Sequence, residues 1–218
     1  MRSIFVYSPY DRNIQTLLTA YFAVALSSKF KTAVVDCHFK NEMLEIFLAK
    51  RHHLNISKNL GLTVPAYFKY QKDILKNLSD EYEFILSDIE NLKNAQECDI
   101  LVIPLLEEKL PEITAQNSPL SEAVWQAKKR CAATGKNAFL SVVLPYGDKK
   151  NTKTLKDALM MGYLVAPFLS DYHFFEHGFK QGVTCLDKDL PDFKKDFGVQ
   201  DFYARRNIKK IIEFILAR

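Results

Sequence analysis

The chain has 218 residues, 48% of them hydrophobic and 26% charged, with a formal charge of +4. No apolar run approaches the ~20 residues that span a bilayer, and the start of the chain enters a strand with no signal-peptide pattern. Cys37, Cys98, Cys131 and Cys185 are scattered without CxxC pairing, which argues against a disulfide framework or a metal site and for reduced thiols. The expectation is one cytoplasmic α/β domain over residues 1–218, with a sizeable core and no membrane span. The mild positive charge permits nucleic acid or an acidic partner without demanding either.

Ser3 to Ser8 is a short apolar run rich in strand formers, and Pro9 to Asn13 reads as a turn. Ile14, Leu17, Leu18, Tyr21, Phe22, Ala25 and Leu26 then repeat as one face of an amphipathic helix. Thr32 to Asp36 is a second buried-type strand. Strand, helix and strand in this order call for a parallel pair with a right-handed crossover. Asn41 to His53 reads as a helix, Asn55 to Pro65 as irregular chain, and Tyr67 to Leu78 as a further short helix. Glu83 to Asp88 is the third strand, and Asp99 to Pro104 the fourth, ended by its proline. Leu120 to Thr134 is a helix capped by Gly135, and Ala138 to Leu144 is the fifth strand before a turn at Pro145 to Asp148. Thr152 to Met161 reads as helix, Tyr163 to Ala166 as a sixth strand, Ser170 to Lys180 as helical, and Val199 to the end as the last helix. The alternation predicts three layers: an open, mostly parallel sheet with helices on both faces.

Ligands of such sheets gather at the carboxyl ends of the strands. Two predicted strands end there in aspartate, Asp36 and Asp88. Strand-end aspartates cap a following helix or turn as readily as they hold a nucleotide's Mg²⁺. His52, His53, His173 and His177 have no evident third ligand and read as ordinary histidines.

Five stretches, in order, resemble the ParA/MinD family of deviant-Walker ATPases, which position plasmids, chromosomes and cell-division or secretion machinery. Ile4 to Leu26 sits where that family has strand, phosphate loop and helix. Ala33 to His38 sits at its strand and Asp-x-Asp, and Tyr82 to Asp88 at its Tyr-Asp-aliphatic-Asp strand. Cys98 to Leu105 resembles its Asp-aliphatic-Pro segment, and Ser170 to Thr184 the loop and helix before its final segment. The resemblance implies the P-loop NTPase architecture.

The departures fall on the chemistry. The family's Lys-Gly-Gly-x-Gly-Lys-Thr aligns with Tyr10-Asp11-Arg12-Asn13-Ile14-Gln15-Thr16, and the first glycine anywhere in the chain is Gly61. A phosphate loop needs glycine because its backbone must approach the phosphates in conformations that a Cβ disfavours. The loop lysine falls on Gln15, and the lysine that reaches the partner's nucleotide falls on Tyr10. Asp11 puts a negative charge where phosphates would lie, and one arginine, Arg12, cannot restore the loop. Thr16 alone keeps a metal-binding hydroxyl, and the second aspartate of Asp-x-Asp falls on His38. The resemblance therefore implies a vestigial nucleotide and Mg²⁺ site at Tyr10, Asp11, Arg12, Gln15, Thr16, Asp36, His38 and Asp88, with no catalytic residue and no bound cofactor.

Lys149, Lys150, Lys153 and Lys156 form one basic cluster, and Arg205, Arg206, Lys209 and Lys210 another. In ParA-like proteins such residues contact DNA phosphates without sequence preference. The resulting reading is a partition or positioning protein that has lost ordinary ATP binding and acts as a scaffold or pseudo-ATPase. It has a protein partner, and nonspecific DNA as a further one. It is a monomer or a nucleotide-independent dimer. Two alternatives stand beside it: an active NTPase using Asp36, Asp88 and Thr16 with Mg²⁺, and a protein that reuses the strand-end crevice for another small ligand.

Overall fold

The computed structural model describes residues 1–38, 42–95, 98–115, 118–135, 139–147, 152–169, 173–189 and 199–217. In chain order the elements are β1 (Arg2–Val6), α1 (Arg12–Ser27), β2 (Thr32–Asp36), α2 (Met43–Lys58), β3 (Ala66–Lys69), α3 (Ile74–Leu78), β4 (Phe84–Asp88) and β5 (Ile100–Leu106). They continue with α4 (Leu110–Thr114), α5 (Pro119–Ala133), β6 (Leu140–Tyr146), α6 (Thr152–Met160), β7 (Leu164–Val165), α7 (His173–Gln181) and α8 (Val199–Leu216).

Among the described residues the strands form one seven-stranded sheet in the order β3-β2-β4-β1-β5-β6-β7, and every pairing is parallel. Period-two alternation sends neighbouring residues to opposite faces. Ile4 and Val6 join the core under α1, α2, α7 and α8. Phe5 joins the core under α4, α5 and α6. A parallel sheet covered on both faces has no solvent side, which is why its strands read as continuous apolar runs. The four cysteines are buried free thiols. Among the described residues no helix is long and apolar enough to cross a membrane.

Several boundaries differ from the sequence reading: α2 runs through Asn55 to Lys58, which read as irregular chain, and α4 was not foreseen. Tyr67 to Lys69 are strand, not helix, and α3 begins only at Ile74. The aromatic pair Tyr67-Phe68 serves the two faces of an edge strand registered on Val34 and Val35, and this pairing outweighs the weak local helical pattern. The proline at 104 does not end its strand, because β5 runs on to Leu106. Val102 O accepts from Tyr7 N and Pro104 O from Ser8 Oγ, so the Pro104 nitrogen faces the β1 side, past the last residue of that strand. Its missing N–H therefore breaks no ladder bond. Likewise β6 extends through Pro145 to Tyr146, two residues that read as a turn.

Candidate site at the carboxyl ends of the central strands

The centre of the sheet places the two aspartates side by side: Asp36 of β2 is registered on Asp88 of β4, which is registered on Val6 of β1. Both are buried. The chain leaving β1 turns through Tyr7–Asp11 into α1, so this helix's N-terminus points at the same place.

A helix N-terminus with free N–H groups is a ready anion site. Here the anion is the protein's own. Asp11 is the N-cap, and its Oδ1 accepts from Asn13 N at 3.0 Å and Ile14 N at 3.1 Å. Its other oxygen accepts from the Tyr146 hydroxyl at 3.3 Å. Asp11 N in turn donates to Ser8 Oγ at 3.1 Å.

Gln15 turns inward from the first turn of α1 and is buried. Its Oε1 accepts from Ser8 N at 2.5 Å, and its Nε2 donates to Ile89 O at 3.0 Å and to Asp88 Oδ1. Thr16 Oγ1 donates to Asp88 Oδ2 at 2.7 Å. His38 Nε2 lies 3.2 Å from Asp88 Oδ1 and 3.0 Å from Gln15 Nε2. The amide has two protons, already given to Asp88 and Ile89, so the network assigns the imidazole proton to Nε2, donated to Asp88. His38 Nδ1 is buried with no hydrogen-bond partner among the described residues.

Asp36 is held from the other side. Its Oδ1 accepts from His38 N at 2.9 Å, and its Oδ2 from Lys69 Nζ at 2.8 Å and the Tyr67 hydroxyl at 3.1 Å. Lys69 also lies 3.4 Å from Glu45. An ammonium thus stands on the aspartate where the resemblance implies a metal cation. Among the described residues no group of three or more His, Cys, Asp and Glu is placed to hold a metal ion.

Two predicted members stay on the rim. Arg12 pairs with Glu90 at 3.5 Å, and Tyr10 donates its hydroxyl to Glu112 with Lys109 Nζ 5.2 Å from its ring centre. Tyr67, Lys69, Ser8 and Tyr146 belong to the site and were missed in the sequence. The aromatic run before Lys69 was the available signal for an edge strand ending beside Asp36.

Burial would lower the basicity of His38, but its hydrogen bond to Asp88 and the charges of Asp88 and Asp36 outweigh it and the opposing Arg12, so its pKa is raised. A raised pKa gives stability that is complete below the unfolded value of about 6.5 and is lost as pH rises through the folded value. Urea midpoints should therefore fall more steeply across neutral pH for the native chain than for His38→Gln. Parallel profiles would show that the imidazole is not coupled to Asp88.

No family model matches this sequence, and no curated protein matches it. Solved structures do. A plasmid partition protein of Borrelia burgdorferi bound to AMPPNP superposes with a TM-score of 0.60 at 14% identity, over 99% of this chain and 98% of that one. A MinC:MinD cell division complex of Aquifex aeolicus gives a TM-score of 0.56 at 14% identity, over 100% and 96%. The apo McdA of Cyanothece gives 0.56 at 15%, over 97% and 99%. The fold is that of the ParA and MinD proteins. Within the ParA/MinD fold, the cluster around Asp11, Gln15, Asp36 and Asp88 lies at the carboxyl ends of the central strands, where such sheets bind ligands.

The second predicted site divides. Lys149, Lys150 and the side chain of Lys153 lie outside the described residues, as do the side chains of His173 and His177. Lys156 is exposed on α6, whose Leu155 and Ala158 pack on one face of the sheet. Arg206, Lys209 and Lys210 are exposed and Arg205 half-buried on α8, whose Ala204, Ile208, Ile211 and Ile215 pack on the other face. The clusters therefore sit on helices of different layers.

Proposed function

We propose that this chain is a ParA-like positioning protein that works as a scaffold without an ordinary ATP switch. One observation carries the reading: the protein's own groups stand where a Mg-nucleotide would need space. The Asp11 carboxylate takes the N–H groups at the head of α1, and the Lys69 ammonium takes Asp36. Gln15 is neutral, and its amide is engaged by Ser8, Asp88 and Ile89. A phosphate would meet like charge at Asp11, and a divalent cation would have to displace a lysine already paired at 2.8 Å. These residues do not fit Mg-ATP, and no catalytic step is assigned to them.

In this reading the sheet and its helices present surfaces to a protein partner in the cytoplasm. The chain is a monomer, or a dimer that forms without nucleotide. Calorimetry with ATP and with ADP, each with and without Mg²⁺, tests it. Millimolar nucleotide should give no heat and no thermal stabilisation. Micromolar, Mg²⁺-dependent binding would reject the scaffold and restore the active NTPase.

The α8 cations support nonspecific DNA as a further partner. If four of them meet phosphates of duplex DNA, log affinity should fall with log salt at a slope of about −3.6. Lys209→Glu with Lys210→Glu should flatten that slope, and unchanged binding would remove α8 from the interface.

A further inference from the structure

A second cleft lies at the far end of the molecule from Asp36 and Asp88. It opens between the C-terminal half of α1 and α8, with a volume of about 370 Å³. Arg2, the first residue of β1, donates to Leu216 O at 3.2 Å, which sets this cleft at the amino ends of the strands. Its reading is independent of the proposal about nucleotide.

Its apolar lining is the half-buried Ala25, Phe30, Leu186, Ile212 and Leu216. The cations Lys29, Arg205 and Lys209 converge on it. Two carboxylates also line it, and they differ. Asp187 is consumed by Arg51, which holds both of its oxygens at 2.7 Å, so it adds little negative field. Glu213 remains as one exposed acid against the exposed Lys29 and Lys209. Lys29 and Lys209 are exposed, and neither forms an ion pair among the described residues. The volume falls in the range of about 300–1,000 Å³ common to small-molecule sites, which combine an apolar lining with a few convergent polar groups.

We propose that this cleft binds a single-chain anionic amphiphile of the fatty-acid class, its alkyl chain against Leu186, Ile212 and Leu216 and its carboxylate at Lys29 and Lys209. The alkyl chain removes aliphatic surface from water on both sides. The carboxylate meets ammonium groups that are not already paired, and the charge-assisted contact fixes which end faces out.

The test uses the full chain and monomeric octanoate, decanoate and dodecanoate, followed by calorimetry and by amide shifts of α1 and α8. Affinity should rise about fourfold for each methylene that enters the cleft. Dodecanoate should bind at least tenfold tighter than dodecanol. Lys29→Glu with Lys209→Glu should weaken dodecanoate about tenfold and leave dodecanol unchanged. Both lysines are exposed, so this variant should keep the native melting temperature. Ala25→Phe, which fills the cleft, should abolish binding of both compounds. Equal binding of acid and alcohol, or dodecanoate binding indifferent to the two lysines, would overturn the proposal. So would binding to phosphatidylglycerol vesicles with none to monomeric dodecanoate, which would mark a membrane-contact face instead.

Discussion

Replacing Arg51 by alanine should cost about 3–5 kcal/mol of folding stability, the range for breaking a buried ion pair by removing one partner. For a chain of this size that is a fall on the order of 10 °C in melting temperature. Arg51 has 0% exposure although it is a charged residue on α2. Its Nη1 and Nη2 each donate to Asp187 at 2.7 Å, its Nε to Thr63 O at 2.6 Å, and Nη1 also to Gly182 O at 3.3 Å. Asp187 is further held by Thr184 N at 2.7 Å and Thr184 Oγ1 at 3.0 Å. One guanidinium thus joins α2, the loop after it, the end of α7 and the turn that follows. The packing leaves no slack, because a Cβ at Gly182, where φ is +79°, would lie 2.7 Å from Arg51 N. Truncation leaves the Asp187 charge buried and three carbonyl or carboxylate groups short of donors. The paired change Arg51→Met with Asp187→Leu should recover most of the loss, since it removes both charges together. Urea midpoints of the two variants decide it. A loss under about 1 kcal/mol for Arg51→Ala would mean that the pair behaves as a solvated surface bridge.

Asp88→Ala should destabilise by about 3 kcal/mol, because it strips the acceptor from several buried donors at once. Thr16 Oγ1, Gln15 Nε2 and His38 Nε2 all converge on this carboxylate, which is 1% exposed. Asp88→Asn keeps the shape but turns an NH₂ toward one of these donors, so it too should lose stability. The sign carries the information. A carboxylate kept for an absent cation is a cost in the free protein, and its removal stabilises. A carboxylate saturated by its neighbours is structural, and its removal destabilises. Thermal melts of both variants without ligand separate the cases, and stabilisation by either would count against the scaffold reading.

Much of the site was legible in the sequence. The positions of Asp36 and Asp88 followed from apolar runs that end in aspartate, and the missing glycines before Gly61 were plain to read. Asp11 was foreseen as a charge in the way of phosphate, but not as the cap that closes the head of α1. Gln15 was read as a lost lysine, whereas its amide ties β1, β4 and α1 together. The Lys69–Asp36 pair escaped the sequence reading because the residues are far apart in sequence and the aromatic run before Lys69, the one sign of an edge strand, read as helix. Arg51 was hidden for a related reason, since a lone arginine on a helix with polar neighbours reads as surface.

What the sequence determined by itself is the sheet: six of its seven strands, the helices between them, and hence a parallel three-layer fold with a candidate site at the strand ends. Local hydrophobic period carries that information, because burial acts on each residue according to the face it occupies. Only the tertiary structure decided how the charges at those ends are spent. Whether Asp11 faces a phosphate or a helix head, and whether Asp36 meets a metal or Lys69, depends on groups brought within 3 Å of one another by packing. Such contacts join residues distant in sequence or in different elements, and no pattern along the chain encodes them.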